Sequence, residues 1–435
     1  MKDPGSPSGL ATLAALMRSR RFAPLFWCQF LSAFNDNFVR NMLAMLILFR
    51  LGETGAGALI TLAVGIFVAP TLILSGLGGE IADAQDKARF ARALKAAEIA
   101  VQALAAVGLW MASLPVLYAA LFGLGVISAL FGPLKYAILP ELMARDQLVA
   151  GNALVEAATF AAILLGLIAG GLSVARSPAS TMLQLMAIAL AAFLTSLFIP
   201  STARAAPGLL VTRNIFASTA GLIAELRRDG KLWSRAIAVS WFWMVGAVAL
   251  SLTPVIVRAK TGGDIAVETA ISALFALGIG VGSLVAALIA RDRISLAPAP
   301  FAALAMGLFL IDLGVSTAGL PAATSETGLV AFFTSAAGVR VAIDVLGLAG
   351  AGGLFVVPLF AAIQADAPAA WRARLVGAVN VLNSSFIVAG VAATAILQSA
   401  AIGLSEPMLS ALLGALTVAF AFYVRRCVAP ATVKT

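Results

Sequence analysis

The sequence predicts an all-α membrane protein with 12 transmembrane helices in two six-helix lobes, and three observations support this. Only 11% of the 435 residues are charged and 61% are hydrophobic, with a mean hydropathy of +1.02. Soluble domains carry about 25% charged residues. Apolar stretches long enough to cross a bilayer recur along the whole chain. The halves also resemble each other: Leu130-Phe131-Gly132-Pro133, then Leu148-Val149 with Asn152 and Glu156, is matched by Leu354-Phe355-Val356-Val357-Pro358, then Leu375-Val376 with Asn380 and Asn383. The two copies lie about half the chain apart, as expected of a two-lobed secondary transporter.

Taken in order, Met1 to Gly9 is rich in Pro, Ser and Gly and reads as a disordered lead-in within a cytoplasmic tail, residues 1–23. Arg18, Arg20 and Arg21 then precede a span too long, and too polar in its middle, for a cleaved signal peptide. The first lobe occupies residues 24–199, with spans near 24–49, 56–78, 93–112, 115–139, 148–174 and 179–199. Residues 200–232 form a cytoplasmic linker, in which Ile215, Phe216, Leu222, Ile223 and Leu226 recur at helical spacing and end at Arg227-Arg228. This reads as an amphipathic surface helix joining two bundles, or as a docking site for a cytoplasmic partner. The second lobe occupies 233–424, with spans near 233–257, 267–290, 297–317, 339–363, 376–400 and 405–424, and 425–435 is a second cytoplasmic tail.

A cytoplasmic N-terminus puts most of the 29 lysines and arginines on that side, including Lys87, Arg89, Arg92 and Lys95 in the loop after span 2. Arg50, Arg176, Arg258, Lys260 and Arg340 fall outside. That is the asymmetry of the positive-inside rule, so the pI near 10.1 reports orientation and not nucleic-acid binding. Histidine is absent, which removes a Ser-His triad, a His-ligated metal and a His-dependent acyltransferase. Cys28 and Cys427 are too far apart in sequence to suggest a disulfide framework, and no Gly-x4-Gly-Lys-Ser/Thr phosphate loop occurs. The expectation is a non-enzyme without cofactor or metal, monomeric in the bilayer.

The sharpest constellation is Asn35-Asp36-Asn37 with Arg40 and Asn41, about 18 Å of helix from either end of the first span. An ionisable side chain there costs about 2.5–3.5 kcal/mol to insert, which marks a pathway or binding site. Asp36 and Arg40 form an i, i+4 pair, as do Asn37 and Asn41. The patch reads either as polar glue between helices or as a polar cavity wall that meets a charged substrate group. Lys135 near the cytoplasmic end of span 4 reads either as a lysine snorkelling to the interface or as a partner of Glu156 in span 5, which lies at similar depth, close enough to interact directly or through a substrate. Asp312 and Asp344 have no evident partner. Gly79-x3-Asp83, followed by Asp86, Lys87 and Arg89, resembles the loop 2–3 signature of the major facilitator superfamily, with Ala84 and Asp86 where a basic residue and a glycine are usual. The resemblance implies a latch tying cytoplasmic helix ends together, and the other reading is ordinary flanking charge. Gly278-x-Gly280-x-Gly282 and Gly166-x3-Gly170 read as helix packing, and Trp241-Phe242-Trp243 as aromatic lining.

With these residues in view, the chain resembles the lysophospholipid transporters of the major facilitator superfamily. It is similar above all to the transporter portion of bacterial proteins that fuse such a module to a glycerophospholipid acyltransferase. The resemblance rests on Phe34-Asn35-Asp36-Asn37, Phe131-Gly132-Pro133-Leu134-Lys135-Tyr136, and Gly151-Asn152-Ala153-Leu154-Val155-Glu156. Ser240-Trp241-Phe242-Trp243, Gly278 to Ser283 and Asn380-Val381-Leu382-Asn383 add to it. It implies movement of lysophosphatidylethanolamine and lysophosphatidylglycerol to the inner leaflet of the bacterial inner membrane for re-acylation, without energy coupling. It further implies that Asp36 and Lys135 meet the head group, and that a cytoplasmic acyltransferase acts as a separate partner. The family arginine of span 7 has no counterpart in this reading, which counts Arg235 with the preceding loop. The alternatives are a proton-coupled permease or drug exporter, with Asp36 or Glu156 as the proton carrier, and a scaffold recruiting an acyltransferase through residues 200–232.

Overall fold

In the computed structural model, residues 9–173, 176–212, 214–290, 293–399 and 401–428 are described. Most of the Met1–Gly9 lead-in and the tail beyond residue 428 lie outside them. Helix α1 (Gly9–Arg18) lies within the stretch read as a tail, and α2 (Ala23–Ala84) follows. Although helical throughout its 62 residues, α2 carries two spans. The Arg40 guanidinium sits 5.6 Å from the centre of the Phe67 ring. A straight helix would hold those positions about 40 Å apart, so the chain doubles back between them.

The remaining spans are α3 (Lys87–Trp110), α4 (Leu114–Ala137), α6 (Leu148–Ser173), after the single turn α5 (Leu139–Leu142), and α7 (Pro178–Leu197). Beyond the linker helix α8 (Ile215–Arg228) come α9 (Gly230–Ile256), α10 (Ile265–Ala290) and α11 (Ala299–Ala318). The chain continues through the short α12 (Leu329–Thr334) to α13 (Ala336–Asp366), α14 (Arg372–Gln398) and α15 (Glu406–Tyr423). Helix starts follow local chemistry. Pro115, Pro178 and Pro407 occupy first turns, where a missing N–H costs nothing. Asp86, Ser177 and Asn214 accept backbone N–H bonds as N-caps of α3, α7 and α8.

Among the described residues, 11 helical segments are long and apolar enough to cross a membrane, from Leu59–Ala84 to Glu406–Arg426. They correspond to predicted spans 2 to 12. The first half of α2 is the twelfth, and its polar run is what lowers its hydropathy. It packs as a core helix all the same: Phe38, Met42, Leu43 and Ile47 join Leu117, Leu121 and Leu124 of α4 and Leu185 of α7 in one cluster. Large apolar side chains such as Leu183, Phe301, Val315 and Ile396 face outward from the spans. Such exposure would be a liability in water and is ordinary in a bilayer.

By packing, the chain forms two compact units. The first comprises residues 1–151, 161–229 and 364–381, and the second 152–160, 230–363 and 382–435. In the first, α2 and α6 approach until a β-carbon on Gly166 or Gly170 would lie 2.5 Å from the carbonyl oxygen of Phe34 or Phe38. The two glycines therefore act as the packing surface the sequence suggested. In the second unit, Trp241 stacks on Phe420 at 4.4 Å and donates to the Thr417 hydroxyl at 3.3 Å. Arg340 clamps Asp312 through two bonds of 2.9 and 2.5 Å. Asp344 lies in the field of the same pair, so the sequence reading that left both aspartates unpartnered is corrected.

The linker is tied to the first unit at two acids. Glu80 accepts the Thr212 N–H at 2.7 Å and the Ser218 hydroxyl. Ser218, Leu222 and Leu226, four residues apart, form the buried stripe of α8. That stripe turns Phe216 outward, 74% exposed, contrary to its expected place on the packed face. Asp86 accepts the Ser201 hydroxyl at 2.5 Å, the Thr202 N–H at 3.1 Å and the Ala88 N–H at 2.9 Å. Burial pushes its carboxyl up, but these bonds outweigh burial and hold it below the ordinary carboxylate range. The stabilisation is therefore complete above the unfolded value of about 3.9 and is lost as pH falls through the lower folded value. Hydrogen exchange over residues 199–206, corrected for intrinsic rates, should stay flat from neutrality down to about pH 5 and loosen only below about pH 4. Asp86→Asn should remove that acid step. A step centred above pH 5, or one unchanged in the variant, would contradict the assignment.

Candidate functional site

The sequence feature at Asn35-Asp36-Asn37 lies within a buried polar array that α2 and α3 build together in the first unit. Lys95 and Glu98, three residues apart on α3, pair at 2.6 Å with both side chains essentially inaccessible. Glu98 accepts from Asn35 Nδ2 at 3.1 Å and from the Ser32 hydroxyl at 3.4 Å. Lys95 also donates to the Ser32 oxygen, and its ammonium sits 4.1 Å from the centre of the Phe131 ring. A cation over an aromatic face is worth up to about 2 kcal/mol when desolvated. Counted from the start of α3, Lys95 and Glu98 lie about 12 and 17 Å along the helix. Lys95 is therefore a membrane-embedded cation, not a loop charge as the sequence count had it. Lys95, Glu98 and Gln102 fall on one face of α3, and that spacing was the signal available.

Asp36 belongs to this array. It lies near the Ser128 hydroxyl and in the field of Glu98 and Lys95, with Arg40 acting on it more weakly. The expected Asp36–Arg40 pairing is thus secondary. Arg40 donates instead to Asn37 Oδ1 and rests on Phe67. Asn37 donates to the Ala33 carbonyl at 2.7 Å, and Asn41 to that of Leu167 at 2.6 Å. The two asparagines, expected to pair with each other, tie down backbone instead. The array holds two cations and two carboxylates. It also leaves Asn35 Oδ1 and both polar atoms of Gln102 buried without a hydrogen-bond partner, groups that cost free energy until something meets them.

The other predicted residues are distributed as follows. Lys135 is half-buried in the first unit, its ammonium 4.8 Å from the centre of the Tyr136 ring. Glu156 is fully buried in the second unit, so the expected Lys135–Glu156 partnership joins residues of different units. Asn380 lies beside Gly132 in the first unit, whereas Asn383, in the second, accepts from the Ser240 hydroxyl at 2.8 Å. Arg235 lies inside α9 and donates to the Ala362 carbonyl at 3.3 Å. The seventh span therefore does contain an arginine, near its start.

The latch residues come together in the first unit. Asp83 accepts the backbone N–H groups of Ala373 and Arg374 at 3.0 and 3.1 Å and the Arg374 side chain at 3.3 Å. A carboxylate here caps the first turn of α14, where free N–H groups and the helix dipole favour an anion. Gly79 is required by the same approach, because a β-carbon would lie 2.5 Å from the Ala373 carbonyl oxygen and 2.7 Å from the Arg374 Cα. Lys87, wholly buried, pairs with Glu141 at 2.6 Å. Among the described residues Arg89 pairs with Asp86 alone, at 3.8 Å, and is 77% exposed on its side chain. It lies at the periphery of the motif.

The described residues form a polytopic helical membrane protein with a buried polar array inside its spans, an architecture shared by membrane transporters. Residues 25–391 match the Major Facilitator Superfamily, and the chain belongs to that family, whose members carry solutes and are not enzymes. The lysophospholipid transporter LplT of Serratia proteamaculans is 31% identical over 267 residues, 61% of this chain and 65% of that relative. LplT of Salmonella typhimurium is 30% identical over 346 residues, 77% of each chain. Among solved structures, the human organic anion transporter MFSD10 superposes with a TM-score of 0.76 at 14% identity, over 93% of this chain and 99% of that one. A bacterial homologue of the iron transporter ferroportin gives 0.67 at 16% identity, over 93% and 99%. These two likenesses establish the fold.

Removing one member of the Lys95–Glu98 pair leaves the other buried and uncompensated, at a cost of about 3–5 kcal/mol. Lys95→Met should therefore lower the thermal unfolding midpoint of the detergent-solubilised protein markedly. Lys95→Met with Glu98→Gln should recover most of the loss, since a glutamine can accept from Asn35 through its oxygen and donate to the Ser32 oxygen through its amide nitrogen. A double variant no more stable than the single one would show that the pair is not coupled.

Proposed function

We propose that this chain is an inner-membrane lysophospholipid transporter that moves lysophosphatidylethanolamine and lysophosphatidylglycerol toward the cytoplasmic leaflet by alternating access. The supporting observation is the charge-balanced array around Asp36, taken with relatives named as lysophospholipid transporters over 77% of the chain. A lysophospholipid carries a charged head and one acyl chain, so it needs a polar site reached from apolar surroundings. Asp36, Asn35, Asn37 and Arg40 supply charges of both signs and amide groups for a phosphate or an ammonium. Lys135, Glu156, Asn380 and Asn383 are the further head-group contacts in this reading. Both termini are cytoplasmic on the positive-inside argument, and the product passes to a cytoplasmic acyltransferase. Asp83, holding the first turn of α14, serves as the latch released once per cycle.

A proton-coupled permease or exporter is the second reading, favoured by the half-buried carboxylate of Asp36 and the buried one of Glu156. Flux of fluorescent lysophosphatidylethanolamine in proteoliposomes separates the two. Without a proton gradient, the wild-type protein should transport at an undiminished rate, and Asp36→Asn and Lys135→Ala should each slow flux by about tenfold or more, the equivalent of losing one charge-assisted hydrogen bond. Flux that stops when the gradient collapses would favour the proton-coupled reading. Unchanged flux in both variants would remove the site assignment.

A further inference from the structure

Where α1 ends, α2 begins and α7 ends, the first unit carries a groove of about 600 Å³ that is separate from the Asp36 array. Arg18 and Arg20 line one side, and Pro24, Trp27, Thr195 and Phe198 line the other. Trp27 is 46% exposed and Phe198 72%, and both arginines are exposed. Trp27 lies about 14 Å along the helix from Asp36, and no residue lining the groove is a member of the array.

We propose that this groove binds an intact anionic phospholipid of phosphatidylglycerol type from the surrounding leaflet. Charge complementarity selects the ligand: the groove presents two guanidinium groups and no carboxylate. Among the described residues neither arginine is ion-paired, whereas neighbouring Arg21 donates to the Glu141 carbonyl at 2.9 Å. Guanidinium forks match a phosphodiester, and a zwitterionic head group would bring an ammonium that no lining acid accepts. The apolar side fits the other end of the molecule. Trp27 has the amphipathic ring favoured at the membrane–water boundary, and Phe198 offers a flat face to acyl chains. The short helix α1 buries Leu13 and Leu16 and exposes Leu10, as a helix lying in the interfacial plane does. With the orientation argued above, the site faces the cytoplasmic leaflet, where basic pockets between spans take anionic head groups.

The test uses the full chain purified in detergent and titrated with phosphatidylglycerol or phosphatidylethanolamine of matched chains, with retained lipid counted by native mass spectrometry. The wild-type protein should retain phosphatidylglycerol about tenfold more strongly, and R18Q/R20Q should abolish that preference while leaving phosphatidylethanolamine retention unchanged. R425Q/R426Q, which removes equal charge elsewhere, should keep the preference. Undiminished phosphatidylglycerol retention in R18Q/R20Q would overturn the proposal and leave the groove to a protein partner. Equal loss in R425Q/R426Q would reduce the effect to net charge. A second measurement does not depend on the arginine variants folding. Brominated phosphatidylglycerol should quench the fluorescence component lost in Trp27→Phe at a lower mole fraction than brominated phosphatidylethanolamine does, and equal quenching would also refute the assignment. Neither readout depends on transport, so its failure is distinct from failure of the flux experiments.

Discussion

A hydrocarbon bilayer offers no water to a buried charge, so each charged group inside a span must find its counterpart in the protein. The Lys95–Glu98 pair meets that requirement, and much of the first unit is organised around it. Glu98 gathers Asn35 and Ser32 from the first span, Lys95 reaches the same Ser32, and Phe131 of α4 covers the ammonium. Three spans are thereby held in one register by a few polar atoms. Asp36 joins the array through the field of Glu98 and Lys95.

A second constraint acts at the helix ends. The first turn of α14 has N–H groups that no intrahelical carbonyl can satisfy. Asp83 supplies the acceptor from α2, and Gly79 removes the side chain that would keep the two backbones apart. This capping accounts for why residues 364–381 pack with the first unit although they lie late in the sequence. The glycine–aspartate spacing of the motif thus has a direct physical meaning, whereas its basic residues divide. Lys87 is buried on Glu141, and Arg89 is a surface charge.

The architecture was legible in the sequence because it follows from hydropathy, and eleven of the spans meet that criterion without help. The Asn35–Asn37 run was legible for the opposite reason, as the place where hydropathy fails. Lys95 and Glu98 escaped notice because they stand near a span boundary, where a lysine looks like flanking charge and only the fold shows its depth. Pairing was harder still to read. Asp36 and Arg40 are well spaced for each other on one helix, yet tertiary neighbours on α3 and α4 act more strongly on Asp36. Asp312 and Arg340 are distant in sequence, and only the packing of α11 on α13 makes them a bidentate pair.

The polarity of the first span has a consequence for how the protein is made. That helix is synthesised before α3, and Asp36 alone adds about 2.5–3.5 kcal/mol to the cost of its entry into lipid. The groups that offset this cost, Lys95 and Glu98, are synthesised some sixty residues later, so the early nascent chain lacks them. Until α3 follows, the first span carries that cost without the partners that offset it in the folded protein.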